Sequence, residues 1–139
     1  MWDLHAAGIP LAVGYTFGQP RVGDETFAKA FTAAGLRQWR VTHDRDPVVH
    51  LPPEALGFYH TATEVYYPGL ASQGYTVCDG SGEDDNCADQ WWNVPDMILD
   101  CLEDGEKHCD HLTYLWNART AYLDDTSCSN GPDHSLADT

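Results

Sequence analysis

Residues 11–42 constrain the fold most, because they read as strand, helix and strand in immediate succession. Leu11-Ala12-Val13-Gly14-Tyr15-Thr16-Phe17 is a near-continuous apolar run, the pattern of a strand buried on both faces of a parallel sheet. Asp24 then caps a helix whose Phe27, Ala30, Phe31 and Ala34 recur on one face, and Gly35 ends it. Arg37 to Thr42 makes the next strand. One βαβ unit of this kind requires a parallel sheet, hence an α/β architecture. Ahead of it, Met1 to Ala7 reads as the end of a helix stopped by Gly8 and Pro10. Seven residues are too few to make a helix alone, so the expectation is that its start is missing from this sequence.

The 139 residues amount to one domain at most, and 42% hydrophobic content suffices for a packed core. Net charge is −15 and uneven: residues 1–78 carry seven acids and five bases, residues 79–139 fifteen acids and two bases. Nothing in the acidic half would neutralise phosphates, which excludes nucleic acid as the expected partner. No apolar run is long enough for a transmembrane helix, and no secretory leader pattern opens the sequence. All five cysteines lie at or after Cys78. Cys78 with Cys87, and Cys101 with Cys109, bracket polar loops at spacings that suit local disulfides and an oxidising, extracellular setting. The odd cysteine left over is Cys128.

The remaining chain is loops around short elements. Gly57-Phe58-Tyr59-His60 reads as a turn, Glu64-Val65-Tyr66-Tyr67 as a short aromatic strand, and residues 69–94 as a Gly/Asp/Ser-rich loop. Asp79, Glu83, Asp84 and Asp85 lack the spacing of an EF-hand. Trp91 and Trp92 are either packed on the sheet's edge or part of a lipid- or sugar-facing patch. Pro95-Asp96 opens a helix with Ile98, Leu99 and Leu102 apolar, ended by Gly105. His108, Cys109 and His111 with Cys101 form the one arrangement to weigh as a metal site, and ligand spacing disfavours it; no metal and no cofactor are expected.

Three segments carry chemistry. Arg40-Val41-Thr42-His43-Asp44-Arg45-Asp46-Pro47-Val48-Val49-His50-Leu51-Pro52-Pro53 takes a carboxylate off the end of a strand, where open α/β sheets place their working groups. Gly18-Gln19-Pro20-Arg21-Val22-Gly23 follows the first strand, and Asp110-His111-Leu112-Thr113-Tyr114-Leu115 comes late in the chain. In this order the three segments resemble the class 3, fungal-type lipases of the α/β-hydrolase family, over residues 2 to about 116. The departure is Val49 where that family usually has proline.

The resemblance implies a partial α/β-hydrolase sheet: the C-terminal half, with one βαβ unit plus an edge strand at Glu64–Tyr67 and disulfide-tied loops. It divides the chain into residues 1–123 of that domain and an acidic tail, 124–139. It implies Asp46 and His111 as the acid and base of a Ser-His-Asp triad, with Asp44 the competing acid. The order of acid then histidine fits α/β-hydrolases. His50 and His60 are read as structural, and so is Arg21. The nucleophile has no counterpart: the family's Gly-His-Ser-Leu-Gly-Gly is absent, and Ser72, Ser81, Ser127, Ser129 and Ser135 all follow the acid-loop.

Two functions follow as expectations. One is half of a secreted lipase or carboxylic-ester hydrolase, inactive alone for want of its serine. The other is a non-catalytic lipid- or protein-binding remnant of the fold. The expected partners are a lipid or other ester in the full-length protein, and a second copy through the exposed strand Leu11–Phe17. Triglyceride, phospholipid and feruloyl-type esters all fit, since in the family the lid and most of the acyl groove precede this region.

Overall fold

The computed structural model describes residues 1–103 and 109–115. The helix end at the start is α1, Trp2–Ala6. The βαβ unit follows as β1 (Gly14–Phe17), α2 (Glu25–Ala33) and β3 (Gln38–His43), with a two-residue strand β2 (Gly23–Asp24) between β1 and α2. After these come β4 (Phe58–Tyr59), β5 (Glu64–Tyr67), β6 (Thr76–Val77) and α3 (Val94–Glu103). The main sheet has the order β1-β3-β5-β6. Its first three strands are parallel and β6 is antiparallel to β5. The parallel strands therefore end together, and the loops leaving β1, β3 and β5 share one edge of the sheet.

Local chemistry explains most of these bounds. Asp24 caps α2 by accepting from the Phe27 N–H at 2.8 Å, a contact worth about 1 kcal/mol. Phe31 is buried and packs against Phe27 and the Trp2 ring, which holds α1 on α2. Ala28 is buried with Phe31 while Ala30 is exposed, so the buried face of α2 is rotated from the expected one. On α3, Met97 is buried while Leu99 and Leu102 are exposed, again unlike the face read from the sequence.

Three other expectations change. The strand expected over 11–17 is only its last four residues, and Tyr15 is 62% exposed. Tyr15 and Phe17, alternate residues on one face of β1, are both exposed, so only the other face of the strand is covered. Phe58 and Tyr59 are not a turn: they pair with Asp24 and Gly23 in a second, two-stranded sheet. Strand β5 is not the edge either, since β6 pairs along it and closes that side. Gly105, Cys128 and the tail 124–139 lie outside the described residues.

The sheet's interior is partly ionic. Arg40, 1% exposed, donates through Nε to Thr61 O (2.7 Å) and through Nη2 to Gly82 O (2.9 Å) and Glu64 (3.3 Å). Glu64 Oε1 in turn accepts from the Thr42 hydroxyl at 2.6 Å and the Ala88 N–H at 3.1 Å. Beside it the Cys78–Cys87 disulfide packs with Val49, Tyr66 and Ala88. A second disulfide joins Cys101 and Cys109, as the spacing led us to expect.

Two predictions arise here. Arg40→Met strands the Glu64 carboxylate in the core without its counter-charge; urea unfolding should show a loss of about 3–5 kcal/mol. Cys78→Ser with Cys87→Ser removes a short loop closure; the same assay should show a loss of about 2–3 kcal/mol. In the unaltered chain, non-reducing peptide mapping should recover one linked peptide spanning Asp79 to Asp85.

Candidate active site

Every chain segment that leaves the carboxyl ends of the parallel strands contributes to one cluster. From β3 the chain makes a tight turn at Asp44, with its N–H on Tyr67 O at 3.0 Å, and reaches Asp46. Pro47 then starts a short 3-10 turn, Val48–His50, so that the Val48 N–H points back at Asp46 Oδ1 (2.8 Å). Asp46 has no exposed surface. A buried carboxylate must have its acceptors met, and here three donors do so. Besides Val48, Oδ2 takes the Tyr114 hydroxyl at 2.6 Å and the His111 Nδ1–H at 3.0 Å.

His111 sits in a 3-10 turn, Asp110–Leu112, which is fixed from three sides. The Cys101–Cys109 disulfide ties it to α3. Asp110 Oδ2 accepts the Arg45 N–H of the acid-loop at 3.1 Å. The Leu115 N–H donates to the Tyr67 hydroxyl at 3.0 Å, anchoring the far side of the turn to β5. The Asp46 contact assigns the Nδ1–H tautomer to neutral His111. Its Nε2 then carries the lone pair, and meets no hydrogen-bond partner among the described residues. The side chain is 35% exposed. Chemically this is a base whose orientation and tautomer are set by a buried acid, and whose reactive nitrogen is open to a third group.

The hydrogen bond to Asp46 raises the His111 pKa above the ordinary histidine value, against the lowering effect of burial. Protonated His111 is therefore more stable folded than unfolded. That contribution is fully present below about pH 6.5, the unfolded value, and is lost as pH rises through the raised folded value. Urea midpoints of wild type and His111→Ala, compared at about pH 5.5 and about pH 9, should differ more at the lower pH.

Tyr114 was inside a motif we read only for its histidine. Burial, then the charge of Asp46, pushes its hydroxyl far above the ordinary tyrosine range, so it stays a donor to the carboxylate. It also accepts the His43 N–H at 3.1 Å. His43, equally unread, stacks on Tyr67 with centroids 4.5 Å apart and places its ring nitrogens 2.8 Å from Gly69 O and 3.1 Å from Asp110 O. It links the loops after β3 and β5 to the His111 turn. A histidine within a charged turn gives no such hint by itself.

The other candidates go elsewhere. Asp44 turns its carboxylate to the Tyr66 hydroxyl, not to His111. His60 is buried with Nε2 on Val49 O at 2.8 Å, and its burial, with Arg40 nearby, lowers its pKa to about 2. His50 is buried with Nδ1 3.5 Å from Asp89. Arg21 is the clasp between the acid-loop and the disulfide loop. Its N–H donates to Leu51 O (2.8 Å), Nη1 to His50 O (2.8 Å) and Nη2 to Glu83 (2.7 Å) and Asp89 (3.2 Å). Glu54, Glu83 and Asp89 bring carboxylate oxygens close enough to share a cation. The Arg21 guanidinium already sits among them, with Nη2 3.4 Å from Glu54. In the neighbouring loop Asp79 and Asp84 are spent on backbone N–H groups of Ser81, Asn86 and Asp79 itself.

The metal arrangement weighed from the sequence fails, because Cys101 and Cys109 are bonded to each other and offer no thiolate; His108 lies outside the described residues. Of the tryptophans, Trp91 packs on the sheet, donating to the Tyr66 hydroxyl at 3.2 Å beneath the Arg45 guanidinium, while Trp92 is 84% exposed. A cavity of about 520 Å³ between α2 and the disulfide loop is lined by Ala28, Thr32, Tyr59, His60 and Ser81, and includes neither Asp46 nor His111.

Residues 10–56, which hold β1, α2, β3 and the acid-loop, match the family of lipases of class 3. Over 123 residues the chain is 41% identical to a secreted mono- and diacylglycerol lipase of Fusarium solani, covering 84% of this chain and 33% of that one. This chain belongs to the class 3 lipases. A lipase of Rhizomucor miehei is 39% identical over 101 residues, 73% of this chain and 25% of its own. Among solved structures, a triacylglycerol lipase with a serine protease triad as its catalytic centre superposes with a TM-score of 0.66 at 30% identity. It matches 82% of this chain and 40% of its own. A mono- and diacylglycerol lipase of Aspergillus oryzae superposes with a TM-score of 0.65 at 25% identity, over 84% of this chain and 41% of its own. The architecture is thus a partial α/β-hydrolase fold, and the chain spans about a fifth to a third of the curated lipases it matches.

Proposed function

We propose that this chain supplies the acid and base of a lipid-ester hydrolase, Asp46 and His111, toward a serine outside the 139 residues. What carries the reading is the buried Asp46 Oδ2 at 3.0 Å from His111 Nδ1, with no hydrogen-bond partner on Nε2 among the described residues. In that reaction His111 Nε2 takes the serine proton as the hydroxyl attacks the ester carbonyl, then returns it to the leaving alcohol. Asp46 keeps the imidazole in the tautomer that makes this possible and stabilises the imidazolium that forms. The names of the relatives, acylglycerol lipases, support an acylglycerol as the ester. Secretion is supported by the two disulfides and by the secreted relative. Residues 1–123 then form one part of the hydrolase domain and residues 124–139 an acidic extension.

Reading the coding DNA upstream of Met1 tests this. An in-frame Gly-x-Ser-x-Gly would support it; a stop codon close upstream would favour a non-catalytic remnant. In a polypeptide that carries the serine, hydrolysis should rise with pH through the raised His111 pKa, because only the neutral imidazole accepts the proton.

A further inference from the structure

We propose that Gly18 is a positioning residue of this site: its missing side chain is the space into which the Asp46–His111 pair closes. The inference rests on the acid–base reading above. Gly18 ends β1 and its N–H donates to Val41 O at 3.0 Å, so the adjoining strand fixes its backbone. A Cβ built on it would lie 2.8 Å from Asp46 Oδ2, 2.9 Å from His111 Nδ1 and 3.0 Å from His111 Cε1. Those are the two atoms of the hydrogen bond and the ring carbon next to them. Carbon contacts this short do not persist, so one partner must move.

Asp46 is the partner with less room to move. It has no exposed surface and is held by Val48 and Tyr114 as well. His111 is one-third exposed and can turn outward. A Cβ at position 18 meets both partners, so the imidazole swings outward and parts from a carboxylate that itself shifts only slightly. The effect is specific to position 18. Gly18 has φ +59°, and so costs backbone strain on substitution wherever its Cβ points, but Gly35 has φ +68° with nothing within 4 Å of its own Cβ. Gly35→Ala carries the strain without the collision.

The test is an NMR titration of His111 in the whole 139-residue chain, in wild type, Gly18→Ala, Gly35→Ala and Asp46→Asn. We expect the His111 pKa to fall in Gly18→Ala as it does in Asp46→Asn, and to stay at the wild-type value in Gly35→Ala. A wild-type pKa in Gly18→Ala, with a lowered one in Asp46→Asn, would overturn the inference and leave the pair intact. No fall in Asp46→Asn would instead overturn the acid–base reading itself.

Should Gly18→Ala not fold, Gly18→Ala with His111→Ala decides the matter. Removing the imidazole should relieve its share of the collision, leaving only the Asp46 Oδ2 contact, so that the double variant unfolds at a higher urea concentration than Gly18→Ala alone. A double variant as unstable as the single one would show that the cost never ran through His111, and would overturn the proposal.

Discussion

Asp46→Asn lowers kcat by about ten-thousandfold in a polypeptide that joins this chain to the Gly-x-Ser-x-Gly segment of a class 3 lipase, while leaving it folded. The amide keeps one oxygen to accept from Val48 and turns its NH₂ toward Tyr114 and His111. The Tyr114 hydroxyl can rotate and accept. His111 Nδ1 can accept only by giving up its proton, which moves the hydrogen to Nε2. Folding survives because the hydrogen bonds re-form. Turnover does not, because the nitrogen facing the serine is now a donor. Asp44→Asn should stay near wild type, since that carboxylate faces Tyr66. Turnover of p-nitrophenyl butyrate separates the two. A large loss in Asp44→Asn with Asp46→Asn near wild type would transfer the role to Asp44.

The chain of 139 residues by itself should show no hydrolysis above background, which is the larger effect. Loss of a triad serine alone costs about a millionfold. The rate left after such a loss comes from the oxyanion hole and substrate binding. Ser72 lies in a single 3-10 turn, Ala71–Gln73, and Ser81 in a loop, so neither stands at the head of an α-helix as a hydrolase nucleophile does. The open side of β1 adds a physical reason. Among the described residues Gly14–Thr16 pair with β3 on one flank and with no strand on the other, and Tyr15 within β1 is 62% exposed. A strand with such an edge at Gly14–Thr16 favours pairing with another chain, so we expect self-association despite the net charge of −15. Monodisperse protein assayed with p-nitrophenyl butyrate, with His111→Ala as control, tests this. Turnover that vanishes in the control would contradict it and demand a nucleophile within this chain.

The βαβ unit could be read from residues 11–42 because its signals are local: the Asp24 cap, the apolar recurrence to Phe31, the glycine stop. The contact between Asp46 and His111 could be expected because each lies in a motif of several residues. What could not be read depends on partners far away in sequence. Whether Glu64–Tyr67 is an edge depends on Thr76 and Val77 pairing with it, and two residues carry no periodicity. Nothing local marks Arg40 and Glu64 as buried. Their burial is legible only once the disulfide loop folds over them, bringing Gly82 O and the Ala88 N–H. Tyr114 and Gly18 take their roles from a carboxylate 68 residues from the first and from an imidazole packed on the second, and neither role has a sequence period.

The most direct measurement of the central claim is the crystal structure of the serine-bearing polypeptide inhibited by a phosphonate ester. The account predicts His111 Nε2 within about 2.7–3.2 Å of the phosphonylated serine Oγ, with Nδ1 still on Asp46 Oδ2. A structure in which another side chain makes that contact, with His111 turned to solvent, would contradict it.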